Sequence, residues 1–371
     1  MVVLRTRSLP SFKLVTIVLR WRKMGGPGEW AVDVKDVTPL VGEAGKARCS
    51  RSKFFLWFVS ILSVCLLLVG TGYWFYWKDV VGLRVMSLNT WGIPHTFGSY
   101  DKEERMAAIG SLIADGDYDL VMLEELWMRP DHETIKQAVE GKGMHITAFD
   151  DLTTGCDGRV GPWGCSGLAV VSRFPILQTN FTKFTLQGNF GSMFSDGEYF
   201  AGKGVGRVMV SPRENLHVDV LVTHTISEEA NSQTRENQAD ELVEVVKKSP
   251  AHFVILGGDF NASPTSEGDR TYHTVKEVMT DAFQEIKAAL SAWLDPRFAT
   301  FGNLRNTYTG GKSDPVIYDY IFHKKNTDQA AMIWTNWFYL PFLNTIRGSD
   351  QSTISLSDHE AVTSHIFMWK E

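Results

Sequence analysis

The 371-residue chain is 44% hydrophobic and 22% charged, with 32 glycines and 4 cysteines, a composition that excludes collagen-like, low-complexity and disulfide-dense classes. Its net charge of −6 is unevenly spread: residues 1–53 carry eleven Lys/Arg against four acids (+7), 54–77 carry none, and 78–371 carry 26 against 39 (−13). A folded part at −13 disfavours a polyanionic partner, so no nucleic acid is expected.

Residues 1–53 show no sustained period and read as a basic, mostly flexible tail, broken at Gly25-Gly26-Pro27-Gly28. Residues 54–77 form a 24-residue uncharged stretch with aromatics at both ends. That exceeds the roughly 20 residues needed to cross a bilayer as a helix. A cleaved signal peptide is disfavoured, because the stretch is long and starts after some fifty residues. Lys46, Arg48, Arg51 and Lys53 precede the span and only Lys78 and Arg84 follow closely, so the charge bias places the tail in the cytoplasm and the main domain on the exoplasmic side. The Asn180-Phe181-Thr182 sequon and a pairing of Cys156 with Cys165 are compatible with that side.

Beyond the span, alternation predicts a strand over Leu83 to Leu88, ending at Asn89. Helical spacing covers Asp101 to Ala114, and a second strand, Asp119 to Leu123, ends at Glu124 and Glu125. A helix over Asp131 to Glu140 and a strand over Gly167 to Ser172 follow. Paired strands are predicted over Lys203 to Val210 and Val218 to Val222, the second delivering His224, then a helix over Asn231 to Lys248. Phe253 to Leu256 reads as a buried strand, after which Gly257 and Gly258 are expected to turn the chain so that Asp259 and Asn261 project together at period two. A strand over Val316 to Phe322 carries Asp319 in its middle, and the chain closes with Ser357-Asp358-His359 and a strand over Ala361 to Met368. Strands interleaved with helices imply an α+β domain over 80–371 with two layers of sheet covered by helices.

Asn89, Glu125, His224, Asp259, Asn261 and His359 all fall at or beyond strand ends, where side chains from several strands can converge on one rim. No HExxH, zinc-spaced Cys/His cluster, GxSxG elbow or Walker loop is present. Few carboxylates and oxygen-rich ligation suit Mg²⁺, with Mn²⁺ as a substitute.

LNTWG at 88–92, LEELW at 123–127, THT at 223–225, GGDFN at 257–261, YDYIF at 318–322 and SDH at 357–359 occur in the order seen in the endonuclease/exonuclease/phosphatase superfamily, which the chain resembles over 80–371. Within it, LNTWGIP, EELW, DGRVGPWGCSGLAVVSRFPI, FAGKGVG and GDFNASP look most like the neutral sphingomyelinases; Glu124 departs from the Gln common there. The resemblance implies a four-layer α/β/β/α deoxyribonuclease-like sandwich, here preceded by one transmembrane helix. It implies that Glu125 and Asn89 hold the metal, and that His359 is the general base, oriented by Asp319 or Asp358. Asp259 and Asn261 would position water and phosphate, His224 would serve the phosphoryl oxygens or leaving group, and Lys203 would bind substrate. Trp334, Trp337 and Phe338 would contact the membrane. The implied reaction is phospholipase C-type hydrolysis of sphingomyelin in a bilayer. The alternatives are a lyso-phospholipid, inositol phosphosphingolipid or DNA as substrate, and a catalytically inactive lipid-binding member. A second sequon, Asn261-Ala262-Ser263, is expected to carry no glycan because Asn261 faces the site.

Overall fold

A computed structural model describes residues 19–23, 30–34, 79–94, 98–159, 161–192, 197–283, 299–326, 330–335 and 345–370. The 54–77 stretch, Trp337 and Phe338 lie outside them, and among the described residues no helix is long and apolar enough to cross a membrane. The chain divides into two units, Met1–Tyr73 and Trp74–Glu371. In the first, β1 (Leu19–Lys23) and β2 (Trp30–Val34) pair antiparallel. The Gly25-Gly26-Pro27-Gly28 cluster lies between these two strands in the sequence.

The second unit holds two six-stranded sheets. One contains β3 (Val81–Asn89), β4 (Leu120–Glu124), β5 (His145–Ile146), β6 (Ala169–Ser172), β13 (Ala330–Thr335) and β16 (Val362–Lys370), in the order β13-β16-β3-β4-β6-β5. The other contains β7 (Ile176–Lys183), β8 (Gly204–Arg213), β9 (Leu216–His224), β10 (Phe253–Asp259), β11 (Thr280–Asp281) and β12 (Asp319–Lys325), in the order β11-β12-β10-β9-β8-β7. The short strands β14 (Thr345–Arg347) and β15 (Thr353–Ser355) pair with each other, antiparallel. Strand periodicity sorts the first large sheet's side chains onto two faces. Leu83, Val85, Leu120 and Met122 join the core shared with the second sheet, while Met86, Leu88, Val121 and Leu123 join a separate core. Helices α1 (Lys102–Asp115) and α2 (Arg129–Glu140) close that separate core with Met106, Ile109, Ile113, Ile135 and Val139. On the second sheet, α3 (Ser232–Lys247) and α4 (Thr271–Lys276) contribute Leu242, Val246, Tyr272 and Val275. The result is a mixed α/β sandwich.

Two local expectations are corrected. Gly257 and Gly258 do not turn the chain: they are the last residues before Asp259 in β10. A Cβ on Gly257 would strike the Met122 side chain across the sheet interface, and one on Gly258 would strike the Thr223 carbonyl. The glycines permit close approach. Asp319 is not mid-strand either. The Thr300 hydroxyl accepts from the Tyr318 and Asp319 amides, and Val316 bridges to Phe301, so β12 begins at Asp319. Trp334 lies in β13, opposite Phe367 of β16.

One buried carboxylate ties stability to pH. Asp281, 1% exposed, accepts from the Tyr272 hydroxyl at 2.7 Å and the Phe283 amide at 2.9 Å. Burial pushes its carboxyl up to about 6 from 3.8. The folded state thus holds the proton more tightly, and stability falls as pH rises through that window. Relative to wild type, Asp281→Asn is expected to gain up to about 3 kcal/mol between pH 4 and 6. Urea unfolding across that range measures it; a pH-independent difference would show that Asp281 titrates normally.

Candidate active site

The strand register brings the polar strand ends to one rim. Asp259, at the end of β10, lies opposite His224 of parallel β9 on one side and Asp319 of antiparallel β12 on the other. In the other sheet, Asn89 ends β3 opposite Glu124, which ends parallel β4. Glu125 follows in a left-handed conformation (φ 56°), which turns it off the strand line. His359 precedes β16, whose antiparallel pairing with β3 returns the chain to the same edge.

Contacts across the two sheets are direct. Asn89 Nδ2 donates to Glu125 Oε1 at 3.0 Å and to Asp259 Oδ2 at 3.1 Å. His359 Nδ1 lies 2.9 Å from Asp319 Oδ2, and its Nε2 lies 3.6 Å from Asp259 Oδ2. Asp319 is therefore the carboxylate that holds the imidazole. Asp358, the other expected partner, turns away from the imidazole, with Oδ1 3.2 Å from Ser357 Oγ. Asn261 is not on the strand's period: it sits at φ 46°, with its amide donating to Asp259 Oδ1 at 2.9 Å in an Asx turn. Its Nδ2 lies 3.1 Å from both His224 Nε2 and the Thr225 carbonyl, a pairing that makes Nε2 the acceptor and leaves the His224 proton on Nδ1.

Electrostatics divide the two histidines. Burial lowers the His224 imidazole well below its usual value, helped by Lys203 and His359, so it is neutral. Burial alone would also lower His359, but Asp319 and Asp259 outweigh it and hold it well above the ordinary value. Burial raises Glu124, Glu125, Asp259 and Asp358, the last two to about 6. These are desolvated anions with too little positive charge among them, the surroundings a hard divalent cation relieves. The surroundings fit such an ion: the Asn89 Nδ2 holds a Glu125 oxygen and an Asp259 oxygen close together, while the Asn89 oxygen accepts from the Trp91 amide at 3.0 Å. Asp259, Asp319 and His359 also offer ligand atoms within 4.8 Å of one another.

The rim floors a cleft of about 560 Å³ lined by Glu125, Lys203, His224, Asp259, Asn261, Asp358 and His359. Its outer wall carries Trp91, Trp127, Pro162, Trp163 and Phe200. Lys203 is 1% exposed and pairs with Glu198 at 3.2 Å, while the other Glu198 oxygen accepts from the Ser227 amide at 2.9 Å. Trp163 stands on the loop closed by the Cys156–Cys165 disulfide, its ring 4.3 Å from that of Phe200. Glu198 and Phe200 were not singled out from sequence, because they lie on a single 3-10 turn too short to show a period, and Trp91, Trp127 and Trp163 were quoted only within longer motifs. Ser357 was quoted only within SDH; its hydroxyl donates to the Asn89 carbonyl at 2.6 Å and fixes the two segments together.

This fold and rim belong to a known class: the Endonuclease/Exonuclease/phosphatase family profile matches residues 86–359, and the chain is a member of that family. It is 27% identical over 300 residues to a putative neutral sphingomyelinase of Drosophila melanogaster, covering 78% of this chain and 61% of the relative. It is 29% identical over 276 residues to the inositol phosphosphingolipids phospholipase C of Schizosaccharomyces pombe, covering 67% of this chain and 61% of that protein. The chain thus spans less than two thirds of either relative. A Staphylococcus aureus beta toxin crystal structure with bound magnesium ions superposes with a TM-score of 0.54 at 17% identity, covering 78% of this chain and 100% of the other.

Proposed function

We propose that the protein is a Mg²⁺-dependent phospholipase C-type phosphodiesterase that hydrolyses sphingomyelin to ceramide and phosphocholine, anchored by a transmembrane helix at 54–77. The observation that carries this is His359, fixed by Asp319 at 2.9 Å and standing beside the Glu125–Asn89–Asp259 cluster on the floor of the cleft. Glu125 and Asn89 would hold the metal, because Asp319 and His359 already satisfy each other. Bound there, the ion supplies Lewis-acid polarisation of a phosphate oxygen and the positive charge that offsets the carboxylates raising His359. His359 Nε2 takes the proton of the attacking water while Nδ1–H stays on Asp319. Asp259 and Asn261 orient water and phosphate, His224 serves the phosphoryl oxygens or the leaving group, Lys203 binds the substrate, and the P–O bond to the ceramide oxygen breaks as that oxygen takes a proton from water. Asp358 contributes negative charge at the cleft wall.

The S. pombe relative makes an inositol headgroup the second reading. Sphingomyelin is preferred because Trp163 and Phe200 offer aromatic faces to a trimethylammonium group, whereas inositol hydroxyls need polar partners. Trp334, Trp337 and Phe338 are the proposed bilayer contacts.

Vesicles of sphingomyelin, inositol phosphosphingolipid or lyso-phospholipid, and duplex DNA, incubated with the full chain and Mg²⁺, Mn²⁺ or chelator, test this. Sphingomyelin cleavage with both ions and none with chelator is expected. Cleavage of DNA or the inositol lipid alone overturns the substrate, and metal-independent turnover overturns the mechanism.

A further inference from the structure

The chain holds two Asn-x-Ser/Thr sequons, and the fold treats them oppositely. Asn261 is at the site rim, with Nδ2 committed to the Thr225 carbonyl and His224. Asn180 is exposed on β7, the last strand of its sheet, whose far side has no partner strand among the described residues. Its Oδ1 receives the Thr182 hydroxyl at 3.5 Å, since residues two apart share a face, and its Nδ2 makes no hydrogen bond among the described residues. Asn180 is level with Arg207 of β8 and, through it, with Leu221 of β9. Leu221 is three residues before His224, so Asn180 stands roughly 10 Å below the level of the rim and two strands to its side. A bulky group there leaves the cleft open.

Two independent features say on which side of the membrane this surface lies. Cys156 and Cys165 form a disulfide, with Cys165 1% exposed, a bond that persists on the oxidising side. The basic residues Lys46, Arg48, Arg51 and Lys53 precede the apolar 54–77 stretch and hold that end in the cytoplasm.

We propose that Asn180 is an N-glycosylation site and that the folded domain faces the exoplasmic side. The ligand is an oligosaccharide delivered from a polyisoprenyl-diphosphate carrier. Asn180 Nδ2 forms a bond to the sugar C1, the C1–O bond to the diphosphate breaks, the lipid diphosphate leaves with the electron pair, and the amide proton passes to base. On β7 the glycan also shields an exposed strand edge, next to a Leu177 that is 53% exposed, from pairing with other chains.

The full chain, translated with endoplasmic-reticulum microsomes beside a secreted glycoprotein control, is treated with peptide N-glycosidase. One glycosidase-sensitive shift is expected, lost in Asn180→Gln and in Thr182→Ala and retained in Ser263→Ala. Asn180→Gln is expected to keep wild-type phosphodiesterase turnover. No shift while the control shifts, a shift that survives Asn180→Gln, or one lost in Ser263→Ala overturns the assignment. The readout is independent of activity, so it stands or falls apart from the proposed reaction.

Discussion

Replacing His359 by alanine is expected to lower turnover of the proposed sphingomyelin substrate roughly 10²- to 10⁴-fold. The imidazole is the group whose Nε2 is turned toward the Asp259 side while Nδ1 is anchored on Asp319. Asp319→Asn separates anchoring from proton transfer. Asp319 is the foremost charge raising His359. Its loss lowers the imidazole's pKa, so the acid limb of the kcat/KM profile is expected to move to lower pH while the maximum rate falls. Near-wild-type turnover in His359→Ala would remove it as the base. An unmoved acid limb in Asp319→Asn would mean that another group sets that limb.

Arg105→Met is expected to destabilise the domain by about 3–5 kcal/mol. Arg105 is fully buried in α1, and its guanidinium makes five hydrogen bonds. Nε donates to the Tyr100 carbonyl, Nη1 to those of Thr90 and Leu356, and Nη2 to the Trp91 carbonyl and the Ser99 hydroxyl. Truncation leaves buried acceptors without donors. Three stretches lose their common tie: the turn after Asn89, the segment into α1, and the approach to Ser357 and His359. Lysine cannot span the same fork, so Arg105→Lys is expected to recover little. Urea unfolding of both variants measures this. A loss below about 0.5 kcal/mol, the scale of an ordinary surface change, would show that the network is dispensable.

The sequence made the rim legible because its residues are punctuation at the ends of apolar strands. Asn89, His224 and Asp259 end apolar strands that are buried along most of their length. The same local signals misled where tertiary contact decides. Glycines after an apolar run ordinarily turn, yet Gly257 and Gly258 stay extended because Met122 and the Thr223 carbonyl occupy the space a Cβ would need. Asp319 looked internal because Val316 and Ile317 are apolar, but the Thr300 hydroxyl draws off that segment before β12 begins. Arg105 looks like an exposed helix charge, and only the carbonyls converging on it give it a place inside. Glu198 and Phe200 are brought to the cleft by a single 3-10 turn, too short for a sequence period to show.

The seam between the sheets has a consequence for biogenesis. Asn89, Glu125 and His359 come from one sheet, and His224, Asp259, Asn261 and Asp319 from the other; the bonds Asn89–Asp259 and His359–Asp319 cross between them. Either sheet by itself carries an incomplete set of donors. The site is therefore complete only where the two sheets are docked on each other.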